Sequence, residues 1–167
     1  MVKEFHIIDN EDGSTIVFAL LILVVLTILG ISSATTSTIE MKIVHNEKIY
    51  QRNFYQAESA TMEAAERIEI EKDTDQLRPG LTNYVWLKDD TIDMTDMTNW
   101  VGDGLVNDNS SPSLVSTDSR FATVGRGIAK GSSLDVGAST VHVFSVYGLS
   151  QSNNGNVLIE IGYRRRF

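Results

Sequence analysis

The chain has 167 residues, of which 42% are hydrophobic and 22% charged, with only 2 prolines, so it is neither collagen-like nor largely disordered. A formal net charge of -8 argues against binding nucleic acid through its phosphates. The absence of cysteine excludes disulfides, thiol catalysis and zinc–thiolate sites.

In chain order, residues 1–13, MVKEFHIIDNEDG, form a polar segment with one lysine and several acids. Ser14 to Ile39 then carries no charge, and Ile16 to Ile31 is almost wholly aliphatic. A helix needs roughly 20 apolar residues to cross a bilayer, and this stretch exceeds that. A small domain rarely buries such a helix on all sides, which disfavours a core helix. A cleaved secretory signal is disfavoured too, because the leader is acidic and the apolar run ends in SSATTST without an A-x-A site.

Past Glu40 the pattern becomes amphipathic. Ile39, Ile43, Tyr50, Phe54, Ala57, Ala60, Ala64 and Ile68 recur at helical steps, interrupted at Asn46. Glu63, Arg67 and Glu71, spaced for pairing along the exposed side, support the same helix. Arg78-Pro79-Gly80 supplies a stop. The expectation is one helix from about Ser14 to about Lys72, roughly 85–90 Å long, with Tyr50 to Ile68 as its packing face. Its first half then lies in a membrane or among other subunits.

Asn, Asp, Ser, Thr and Gly dominate residues 89–119. Strand-like runs are expected at Tyr84–Leu87, Arg120–Ile128, Ser139–Leu149 and Asn156–Tyr163, with Asn154-Gly155 reversing a hairpin between the last two. The fold class is α+β, a long N-terminal helix packed on a small antiparallel sheet.

Chemistry-bearing motifs are sparse. No G-x-S-x-G, H-E-x-x-H or phosphate loop occurs, so no enzyme activity, cofactor or metal site is expected. The three histidines are far apart in sequence, and His142 reads as a structural or surface histidine. Asp89, Asp90, Asp93, Asp96, Asp103 and Asp108 lack the EF-hand spacing and read as a solvated loop rather than a calcium site. Gly102-Asp103-Gly104 and Gly125-Arg126-Gly127 open no helix, and Arg164-Arg165-Arg166 reads as a solvated strand end.

The segment from Gly13 to Ile68 resembles the N-terminal signature of PilX-type minor pilins of the type IV pilus system. The resemblance rests on the LTILGISS core from Leu26 to Ser33, the small Thr/Ser stretch, Glu40, Asn46 and the FYQAES block from Phe54 to Ser59. The end of the chain, VFSVYGLSQSNNGNVLIEIGYRRR, resembles the same family's terminal hairpin. What the resemblance implies is a cytoplasmic leader at 1–13, cut between Gly13 and Ser14 by prepilin peptidase. A membrane or filament-core half at 14–39, an amphipathic half at 40–78 and a β-rich head at 79–167 follow. Phe54, Ala57, Ala64 and Ile68 are the residues expected to join helix and sheet.

The positive-inside rule alone, with Lys3 before the apolar run and Lys42, Lys48 and Arg52 after it, places the head in the cytoplasm. Prepilin leaders stay cytoplasmic, so the resemblance implies the reverse: an inner-membrane protein with a periplasmic head, later in the extracellular pilus. Implied partners are other minor pilins, the major pilin, a pilus-tip adhesin and, before assembly, membrane lipid. The acidic leader departs from the basic leaders usual in pilins. Phe18 stands where major pilins carry glutamate, the fifth residue after the cut, and the implied role is priming of assembly. A minor pseudopilin of a type II secretion system and a membrane-anchored adhesin are the alternative readings.

Overall fold

The computed structural model describes residues 11–78, 84–100, 109–131, 140–152 and 155–166. The leader before Glu11, Pro79-Gly80, Gly102-Asp103-Gly104, Asp108 and Asn154 lie outside them. By internal contacts the chain falls into two units, Met1–Asn46 and Glu47–Phe167.

Helix α1, Glu11–Ile70, contributes to both. It contains no proline, and its one glycine beyond the start, Gly30, sits in an aliphatic run that holds helical geometry. It ends at Ile70, before the expected Lys72, and a short 3-10 helix follows at Thr74–Leu77. The Asp73 carboxylate caps that turn by accepting from the Asp75 N–H.

In the first unit every large apolar side chain of α1 from Ile16 to Ile31 is exposed, none less than 43%. Thr27, Thr35, Thr36 and Thr38 return their hydroxyls to carbonyls three or four residues back in the same helix. The hydroxyls are thereby satisfied without any outside partner, which lowers the cost of apolar surroundings.

The second unit is a sheet covered on both faces. Its strands are β1 (Leu87–Lys88), β2 (Ser111–Pro112), β3 (Ser119–Ile128), β4 (Val141–Ser152) and β5 (Gly155–Arg166). The order is β1-β3-β4-β5, with β2 also on β3. The expected α+β fold with a small antiparallel sheet is present, and β1 alone runs parallel to its neighbour β3, pairing Leu87 with Thr123. Of the expected strand at Tyr84–Leu87 only Leu87 belongs to β1, because the stretch closes a turn in which the Leu87 N–H donates to the Tyr84 carbonyl at 3.3 Å. β3, β4 and β5 form an antiparallel meander, and β4 pairs with β5 from Val141↔Arg166 to Ser152↔Gly155 without a register shift.

Alternation along the strands divides the core in two. On one face Phe121, Phe144 and Val146 meet Ala60, Ala64 and Ile68 of α1, with Leu77, Trp86 and Leu87. On the other, Ala122, Val124, Tyr147 and Leu149 lie under Met94 and Trp100. The Trp100 indole N–H donates to the Met94 carbonyl at 2.7 Å and so closes this lid on itself.

Candidate functional site

Two features of α1 carry the functional question: an apolar N-terminal stretch and a docked C-terminal stretch. Gly13 and Ser14 lie in the first turns of α1 and are exposed, and a side chain added at Gly13 would meet nothing within 4 Å. Phe18, one turn further on, is 65% exposed.

The docked stretch differs from the expected packing face by a small rotation. Ala57, Ala64 and Ile68 are fully buried, together with Ala60, Thr61 and Asn53. Phe54 is 38% exposed and Tyr50 58% exposed, so neither belongs to the buried stripe. Asn53 takes the place expected of Phe54. The reason is the surface opposite. Gly148 of β4 faces α1, and a Cβ there would lie 2.1 Å from the Ala57 carbonyl oxygen and 2.2 Å from Thr61 Oγ1. Helix backbone therefore rests almost on strand backbone, a spacing that admits alanine and threonine and excludes phenylalanine.

Polar groups fix the register of this contact. The Asn53 amide donates to the carbonyls of Ser152 and Gly155, at 3.0 and 3.1 Å, and so clamps the β4–β5 reversal. Gln56 donates to Ser116 Oγ and accepts from Ser150 Oγ, both at 3.0 Å. Glu63 accepts from the Ser113 hydroxyl at 2.7 Å, from the Leu114 N–H at 2.9 Å and from Arg67 at 2.8 Å. Burial pushes the Glu63 carboxyl up, but the bonds from Ser113, Arg67 and Leu114 outweigh it and hold the group below the usual glutamate range.

The end of α1 is capped from the sheet. The Arg165 guanidinium donates to the Ile68 carbonyl and, at 2.7 Å, to the Glu71 carbonyl, supplying positive charge where helix carbonyls are otherwise unpaired. Arg165 is therefore not the solvated residue expected, whereas Arg164 and Arg166 are exposed. Glu71 does not extend the Glu63–Arg67 pair. It accepts from the Tyr84 hydroxyl and from the Asp73 N–H, and the Tyr84 bond is the main reason its carboxyl titrates low.

Among the described residues the remaining sequence candidates make local contacts. Asp89, Asp93 and Asp96 each accept from the N–H and hydroxyl of the threonine two residues on, forming three successive Asx-type turns. Those bonds hold all three carboxyls low. Among the described residues no group of three or more metal-ligating side chains converges. Gly125-Arg126-Gly127 is a bulge in β3, with Gly127 at φ 85, and it turns Arg126 toward Ser145 and Tyr147. His142 is half-buried in β4, 3.2 Å from Thr140 Oγ1, and burial followed by the Arg78 charge lowers its pKa.

Sequence reasoning missed Asn53, Gly148 and Arg165. Gly148 offered a signal, a glycine inside an otherwise bulky strand run, which marks close approach of another backbone. Arg165 offered none, since only the fold brings it to the end of α1.

A long N-terminal helix docked on a small sheet, its free half long and apolar enough to cross a membrane, defines a pilin-like α+β fold. Residues 12–61 match the family model described as PilX N-terminal, which supports a PilX-type pilin N-terminal domain over that segment. No curated protein and no solved structure matches the chain. The matched segment ends at Thr61, within the stripe that rests on Gly148, so it spans the apolar run and the first of the residues that seat the helix on the sheet. Pilins are structural rather than catalytic proteins and work in contact with other pilus components.

Proposed function

We propose that this chain is a minor pilin that helps prime type IV pilus assembly, in a tip complex with other minor pilins. On this reading prepilin peptidase removes residues 1–13 by cutting between Gly13 and Ser14. Residues 14–39 hold the subunit in the inner membrane and later in the filament core. Residues 40–78 continue the helix, and 79–167 form a periplasmic head. The major pilin and a tip adhesin are further partners.

The observation that carries the reading is Phe18 inside the segment that matches the PilX N-terminal family, in a run from Ile16 to Ile31 whose large apolar side chains are all exposed. In apolar surroundings a carboxylate is costly unless it is paired. A bulk subunit with glutamate at this position can pair it with the N-terminal amine of the subunit ahead. A subunit with none ahead has no such partner, and phenylalanine there costs nothing.

N-terminal sequencing of the membrane-extracted protein should begin at Ser14, and Gly13→Val should block processing. Deletion should sharply reduce pilus number while the major pilin stays abundant in the membrane. Phe18→Glu should not raise this protein's content in sheared filaments. Enrichment of that mutant along filaments, or the native protein as their principal component, would overturn the priming role.

A further inference from the structure

The two edges of the sheet are built differently. On the β3 side the outer strands β1 and β2 are two residues each, and β3 itself carries the bulge at Gly125–Gly127. Short edge strands and bulges are the usual means of refusing a further strand. The opposite edge has neither. β5 is twelve residues long, pairs with β4 in unbroken register, and has no other neighbour among the described residues.

It also lacks two of the residue types that guard edges. β5 contains no proline and no lysine. Its single carboxylate, Glu160, accepts from the Tyr147 hydroxyl at 2.9 Å and is thereby held over the sheet. In an antiparallel pair every second residue turns its N–H and C=O away from its partner, so β5 offers a regular ladder of groups with no strand opposite them among the described residues, over roughly 40 Å.

Positive charge on this strand is confined to one end. Arg164 and Arg166 are exposed on the face away from α1, while Arg165 points to the other face and caps the helix. In a chain of net charge -8 this is a local cationic end on an edge whose one carboxylate, Glu160, is engaged by Tyr147.

We propose that the free edge of β5 receives an added antiparallel strand from another protein, with carboxylates near the start of that strand set opposite Arg164 and Arg166. Main-chain bonds supply the attachment, and the two arginines fix its direction and register through cross-strand charge pairs. Residues of the guest on the α1 side extend the row Val157, Ile159 and Ile161, so apolar side chains are favoured at alternate guest positions. The inference needs only the sheet and stands whether or not the chain primes a pilus.

The test uses the full chain in detergent and a synthetic peptide of alternating Val and Thr, with Asp at its first and third residues. Amide exchange is followed by NMR. In the free protein every second amide between Val157 and Arg164 should exchange rapidly. The peptide should slow those amides by about tenfold or more, with little change in β3. A peptide with Lys in place of Asp should bind about tenfold more weakly, and Arg164→Glu combined with Arg166→Glu should reverse that preference. The proposal is overturned if all β5 amides are slow in the free protein. It is overturned equally if the peptide leaves them unchanged, or if the arginine variant keeps the same preference.

Discussion

Two stretches of one helix meet opposite fates. Between Ile16 and Ile31 the large aliphatic side chains of α1 point in every direction and all are exposed. Between Asn53 and Ile68 one stripe of small side chains is buried, and the residues beside it stay in solvent. Helical period is the same in both, so periodicity alone does not decide what a helix packs against. Side-chain size does. Alanines at 57, 60 and 64 let the backbone settle on Gly148, whereas a continuous run of Leu, Ile and Val has no narrow face to offer a sheet. Such a run is suited to lipid or to other helices presenting equal bulk.

The largest test of this contrast is Gly148→Val. A side chain there must displace helix backbone, which is not at the end of a flexible group, and the expected destabilisation is about 3 kcal/mol or more. Thermal unfolding of the full chain in detergent should show a strongly lowered or lost transition for the head. A normal transition would mean that α1 does not lie on β4.

Asn53→Ala removes a buried amide and leaves the carbonyls of Ser152 and Gly155 without their donor. The expected loss is about 1–3 kcal/mol, read from the same melting curves. Its neighbour sharpens the comparison. Phe54→Asp, at a position 38% exposed, should cost only about 1 kcal/mol because the new carboxylate reaches water. Reversal of that order would restore Phe54 to the packing face.

The helix and its amphipathic half were legible because a charge-free run and a three-to-four residue spacing leave few alternatives. The last two strands were legible from their alternation, and both extend further than expected, β4 to Ser152 and β5 to Arg166. The rotation of the packing face was not legible, since Asn53 and Phe54 are adjacent and hydrophobicity favours the wrong one. What decides between them is a glycine nearly a hundred residues away in the chain. β1 is equally opaque, because its two residues of parallel pairing follow a turn at Tyr84–Leu87 and a bond from the Thr123 N–H to the Trp86 carbonyl, both made only in the fold. Gly13, Ser14 and Phe18 were read from family resemblance, and their roles concern an assembly that a single chain does not contain.

A smaller effect separates the docked stretch by pH. The carboxyl of Glu63 is held low in the folded state, so its contribution to stability is complete above the unfolded value of about 4.3. It is lost as pH falls through the folded value. Glu63→Gln should therefore flatten the decline of melting temperature below about pH 5 without changing the apolar half of α1. An unchanged acid profile in that variant would place the docking charge elsewhere.

Labelling tests most directly whether α1 serves two environments. Because the chain has no cysteine, each introduced thiol reports on one position. Leu23→Cys, Leu29→Cys, Tyr55→Cys and Met62→Cys would each be exposed to a membrane-impermeant maleimide in membranes with the periplasmic side open. Positions 55 and 62 should label readily, and 23 and 29 only after denaturation in detergent. Equal labelling of all four would contradict the division of the helix between an apolar environment and a water-facing head.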